Sequence, residues 1–230
     1  MGYTSLEQMH DKVMDDIEGL AKKENENTIS EQELNRLNLL RSTVIARFKT
    51  MHDWVFSTDT EQATNEVFEE PKIYNNITFN ADTAQYRLEK FKAEFTNHFD
   101  MYYSLIYYVY TFVALMVDQR AKNMFLTYWG ETGKWQPWFY DNDTCFGIDN
   151  VGNLMFDYYH EDYNEEFPIL TKINGEENSP TVYAGARSVL WKNFHKVFGS
   201  EIRDAYFSLR SSQKISYDNF VQWFIKNGSD

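Results

Sequence analysis

The sequence predicts an α+β fold, mainly helical, with a small antiparallel β-sheet. Three observations carry this. Apolar residues recur at helical spacing over most of the chain, two short β-rich runs flank a glycine turn, and aromatic residues make up 17% of the 230 residues. That aromatic content, 16 Tyr, 18 Phe and 6 Trp, supplies burial that a disordered chain does not carry.

Residues 5–23 place Leu6, Met9, Val13, Ile17 and Leu20 on one face, and a polar stretch over 22–28 then breaks the pattern. Ser30-Glu31-Gln32-Glu33 reads as a capping box. Behind it Leu34, Leu37, Val44, Ile45 and Phe48 form the expected stripe of a second helix, antiparallel to the first. Residues 1–56 are therefore expected to be a helical hairpin. Residues 57–81 read as an acidic loop to Pro71, with one short strand over 73–79, and form the expected internal boundary.

Residues 82–230 are the expected core. Asp82 with Gln85 should start a third helix, with Ala84, Leu88, Phe91 and Phe95 facing inward. Asp100 should cap a long aromatic helix that stops at Asp118. Residues 101–117 carry no charge, near the lower limit for crossing a bilayer, but five Tyr among them and Asp100 and Asp118 at the ends favour a core helix. No membrane partner is expected.

Met124-Phe-Leu-Thr-Tyr-Trp129 and Trp135-Gln-Pro-Trp-Phe-Tyr140, joined by Gly130-Glu-Thr-Gly-Lys134, read as a hairpin. Asp149-Asn-Val-Gly-Asn153 should be a turn before Leu154-Met-Phe156, and residues 157–186 a long acidic connection. Three closing helices are expected over 188–198, ending at Gly199, over 201–209, and over 216–225.

Charge and cysteine content exclude several function classes. The net charge of −13 repels phosphate backbones, so nucleic acid is not an expected partner, whereas divalent cations suit it. A single cysteine, Cys145, leaves no internal disulfide and no paired thiolates for zinc. The first residues lack the basic and then apolar segments of a secretory signal.

The expected hairpin carries Asn123 at one end and Asp141 at the other, so its topology returns them to one edge. With Asp118, this edge offers the carboxylate and amide oxygens that fix Mg²⁺ and orient an attacking hydroxyl in phosphoryl transfer. A calcium loop is the nearest competing chemistry, since Asp141, Asp143, Asp149 and Asn150 offer hard oxygens. The EF-hand pattern fails at Cys145, Phe146 and Gly152, which leaves a nonstandard Ca²⁺ site as the alternative. The five histidines share no metal-ligand spacing, and Trp129, Trp135, Trp138 and the tyrosines from 102 to 110 are expected in the core.

Asp118-Gln-Arg-Ala-Lys-Asn123, then Gly133-Lys134-Trp135, then Trp138-Phe-Tyr-Asp141-Asn-Asp143 and Gly147, in that order, resemble the CotH-type atypical protein kinases of spore coats over residues 82–156. The block 139–162 and Ser188-Val-Leu-Trp191 are also similar to a domain of large uncharacterised structural proteins of tailed phages. The first resemblance implies a kinase-like core using Mg or Mn with ATP. Asp118 would act on the substrate hydroxyl as the catalytic residue, Asn123 and Asp141 would ligate metal, and Asp143 would contact a second metal or brace the loop. Arg120 or Lys122 would neutralise the transferred phosphate. The second resemblance implies a phage-encoded chain, located in the host cytoplasm or the virion, whose partners are a protein substrate or neighbouring virion subunits. One departure stands out. No glycine lies between Gly19 and Gly130, so no Gly-rich loop covers a nucleotide, and a pseudokinase-like, noncatalytic assembly module is the alternative reading.

Overall fold

The computed structural model describes residues 6–114, 116, 119–120, 123–142, 145–147 and 188–227. It is α+β and mainly helical, with two small antiparallel two-stranded sheets. The chain divides into two compact units, Met1–Trp54 and Val55–Asp230.

In the first unit, α1 (Leu6–Asn25) and α2 (Glu31–Leu40) are joined by a tight turn with Asn27 at φ 55°. Ser30 and Glu33 form the reciprocal capping box, which satisfies two orphan backbone donors at the start of α2. Arg41 reaches Glu24 (2.6 Å), and Arg36–Asp16 and Lys23–Glu33 also pair, so the two helices run antiparallel with Leu20 and Leu37 buried.

The helical path then passes through a π turn, Arg41–Ile45, before α3 (Ala46–Ser57). The expected stripe is not buried as a whole. Every residue from 44 to 50 is exposed, Val44, Ile45 and Phe48 among them, and burial resumes at Met51, Trp54 and Val55.

The second unit corrects the region expected to be a loop and one strand. It holds a hairpin of β1 (Val67–Tyr74) and β2 (Ile77–Ala81), paired Tyr74↔Ile77 and Ile73↔Thr78, with a register irregularity between Val67 and Lys72. Asn75 and Asn76 turn it at φ 50° and 64°, the doubly left-handed geometry that matches strand twist. The hairpin packs Phe68, Tyr74 and Phe79 around Tyr86 of α4 (Ala84–His98).

The cap of α4 is Thr83, whose hydroxyl accepts the Tyr86 N–H (3.1 Å), and not Asp82. Asp82 is taken by Arg87, which grips it through Nε (2.7 Å) and a second guanidinium nitrogen (2.6 Å). Asp100 does cap α5 (Met101–Val113), accepting from the Tyr103 N–H (3.1 Å). This helix ends earlier than expected, at Val113. Its last turn closes through Ala114 N–H to the Tyr110 carbonyl, well before position 118.

The sheet of β3 (Met124–Trp129) and β4 (Lys134–Phe139) pairs in full register from Met124↔Phe139 to Trp129↔Lys134, with Gly133 at φ 67° in the turn. The Asp100 N–H donates to the Trp135 carbonyl (2.9 Å) and anchors the start of α5 to β4.

Three closing helices follow: α6 (Val189–Val197), α7 (Gly199–Ser211) and α8 (Tyr217–Asn227). Gly199 opens α7 and does not end α6 in a left-handed cap. The expected turn at 149–153, the run 154–156 and the connection 157–186 lie outside the described residues.

The core is an aromatic layer between α4, α5 and α6. Phe91, Phe95, Phe99, Phe194 and Phe198 are buried, and Phe95 alone sits within ring contact of the other four, at 5.1–5.4 Å between centroids. Asn193 of α6, wholly buried, donates to the Thr58 carbonyl (2.8 Å), which ties α6 to the segment that follows α3.

Candidate functional site: the edge of the second hairpin

The register of β3 and β4 sets the geometry of the expected edge. Met124 opposite Phe139 places Asn123 and the Tyr140-Asp141 pair at the open end of the hairpin. Asn123 Nδ2 donates to the Asp141 carbonyl (3.3 Å), so these two residues do meet.

A second amide, not singled out by sequence reasoning, holds the same carbonyl. Gln119 Nε2 donates to the Asp141 oxygen (2.8 Å) and to Asn142 Oδ1 (3.3 Å), while the Gln119 carbonyl accepts the Tyr107 hydroxyl (2.7 Å). Gln119 is wholly buried and links the edge to α5. Its signal in the sequence is its place inside the Asp118–Asn123 spacing.

Asp141 itself sits at φ 51°, a conformation that costs a non-glycine residue about 1 kcal/mol and persists when neighbours fix it. Two amides on one carbonyl provide that fixation. Asp141 and Asn142 are exposed, and Phe146, at φ 59°, begins the return towards α5 by donating its N–H to the Ala114 carbonyl.

Asp118, Lys122 and Asp143 lie outside the described residues. Among the described residues, no group of three or more His, Cys, Asp or Glu is placed to hold a metal ion. The groups brought together at this edge are the side-chain amides of Gln119 and Asn123, the Asp141 carbonyl and Asn142 Oδ1.

Arg120, the other cation expected to meet phosphate, lies against the Tyr108 ring. It is buried, with its guanidinium carbon 4.5 Å from the centre of the Tyr108 ring, and burial pushes it below the usual guanidinium range. Burial likewise raises the hydroxyls of Tyr107 and Tyr108 above the usual phenol range.

The aromatic residues near the edge divide. Tyr107, Tyr108 and Trp135 are core, as expected, with Tyr107 stacked on Phe139 (4.7 Å) and on Trp191 (5.5 Å). Trp129, Trp138, Tyr102 and Tyr103 are exposed, and the Tyr103–Trp138 ring contact (5.6 Å) lies at the surface. No helix among the described residues is long and apolar enough to cross a membrane. No family model, no curated protein and no solved structure matches the chain.

Proposed function

We propose that the hairpin edge binds a divalent metal and a nucleotide in the manner of a CotH-type kinase. The observation that supports this reading is the meeting of Asn123 and Asp141, with Asp141 held in a left-handed conformation by two amides. In this reading Asn123 Oδ1 and the Asp141 carboxylate ligate Mg²⁺ or Mn²⁺, and Asp143 completes or braces the shell. Asp118 orients the hydroxyl of a protein substrate, and Lys122 meets the phosphate.

Mg²⁺-ATP is expected to raise the melting temperature of the wild-type protein saturably, as any ligand that binds only the folded state does. Asp141→Ala should remove that rise. A full rise in Asp141→Ala places the nucleotide elsewhere, and no rise in the wild type overturns the proposal.

The second reading, a noncatalytic assembly module of a virion, is favoured by a different observation. Large apolar side chains stand exposed on both units, among them Leu39 and Phe48 on the first and Val67, Ile73 and Tyr102 on the second. Absence of any nucleotide effect on melting is the result this reading expects.

A further inference from the structure

The layer beneath the hairpin edge carries two buried hydrogen-bond donors, Arg120 Nε and Trp191 Nε1, with no acceptor among the described residues. No carboxylate among the described residues pairs with Arg120, although it is the most deeply buried cation described. Buried cations are normally paired, since a guanidinium stripped of water and left uncompensated is among the costliest groups to place in a core.

Both donors border one ring. The Arg120 guanidinium lies over Tyr108 at 4.5 Å, and the Trp191 ring lies 5.9 Å from Tyr108, centroid to centroid. His195 stacks on the same tyrosine at 6.0 Å, its Nδ1 2.9 Å from the Tyr108 hydroxyl, and His195 is only partly covered, so this layer reaches towards solvent. Two buried acceptors, Gln119 Oε1 and Asn193 Oδ1, also lack a donor among the described residues, and these are neutral groups of the kind a buried water can satisfy. A cation and an indole N–H call instead for an acceptor that carries negative charge.

We propose that the Tyr108 layer is an oxyanion site, in which a phosphate-class or carboxylate ligand accepts from Arg120 Nε and Trp191 Nε1. This site does not rest on the nucleotide reading. The guanidinium supplies charge, the indole supplies direction, and the Tyr108 face holds the guanidinium in place.

The test is thermal melting of the whole chain in EDTA, with inorganic phosphate or acetate added against chloride at matched ionic strength. A saturable rise with phosphate alone assigns a phosphate-class site, and a rise with both assigns a general oxyanion site. Trp191→Phe keeps the ring and removes the donor, so it should weaken the apparent affinity roughly tenfold. Arg120→Met should melt at or above wild type without the anion, because it removes an uncompensated charge, and below wild type at saturating anion. No saturable rise in the wild type, or a rise undiminished in Trp191→Phe and Arg120→Met, overturns the proposal. EDTA keeps the result independent of the metal edge, so failure here leaves the Mg²⁺-ATP experiment unaffected, and the reverse also holds.

Discussion

At the scale of single residues, the two-pronged Arg87–Asp82 pair has a role the sequence disguised. Asp82 stands just before a helix, where an aspartate is normally read as a cap, but its two oxygens go to Arg87 and to the backbone N–H and hydroxyl of Thr64 (3.2 Å each). Thr83, one position later, has the shorter reach and takes the cap. The Arg87 hydrogen bonds, opposed by burial and assisted by Thr64, hold the Asp82 carboxyl down at about 2. A carboxyl held below its unfolded value stabilises the fold at pH above that unfolded value, 3.8 here, and the contribution fades as pH falls towards 2. Because this pair borders solvent, the expected size is about 1 kcal/mol. Urea denaturation between these two pH values should therefore show wild type losing that much more stability than Asp82→Asn. Parallel losses in the two proteins would remove Asp82 from the acid response. Asn123 and Asp141 were legible in the sequence because a hairpin register alone brings them together. Gln119 was not, because a neutral buried amide has no signature until its partners are placed.

At the scale of elements, legibility followed how local the determining signal was. The capping box at Ser30, the Asp100 cap and the second hairpin each depend on a few adjacent residues, and each formed as read. Burial past Arg41 depends on contacts far along the chain: residues 44–50 are exposed on every face, so apolar spacing there does not mark a buried stripe. The first hairpin was obscured by Glu69, Glu70 and Pro71, which interrupt strand alternation, although Asn75-Asn76 marked its turn. The two asparagines there do different work. Asn75 Nδ2 donates to Glu89 Oε2 (2.6 Å) and to the Glu89 carbonyl (3.2 Å), docking the turn on α4, whereas Asn76 is exposed and simply adopts φ 64°. Asn76→Gly relieves that backbone at little loss, and is expected to add about 0.5 kcal/mol and to raise the melting temperature by a few degrees. Asn75→Gly should do the opposite, since it gives up both bonds to α4. If Asn76→Gly instead lowers the melting temperature, the turn does not limit the hairpin.

For the whole molecule the governing quantity is the net charge of −13, set against ion pairs that work locally. Arg41–Glu24, Arg36–Asp16 and Lys23–Glu33 hold the first unit's helices together, and Arg87–Asp82 and Lys192–Glu61 do similar work in the second. Salt weakens both effects, and the sign of the result decides which is larger. Exposed pairs contribute at most about 1 kcal/mol each, partly offset by the ordering of long side chains. Self-repulsion of thirteen unbalanced charges acts over the whole surface while the Debye length is long, roughly 30 Å at 0.01 M salt. Repulsion is therefore expected to dominate, and raising NaCl from about 0.01 M to about 0.5 M should raise the melting temperature by about 2–4 °C. A flat or falling curve would mean that the local pairs outweigh the field. The same titration provides the baseline for the metal edge: Mg²⁺ at equal ionic strength must exceed the NaCl effect, and lose the excess in Asp141→Ala, before any of its action belongs to a bound ion and not to screening.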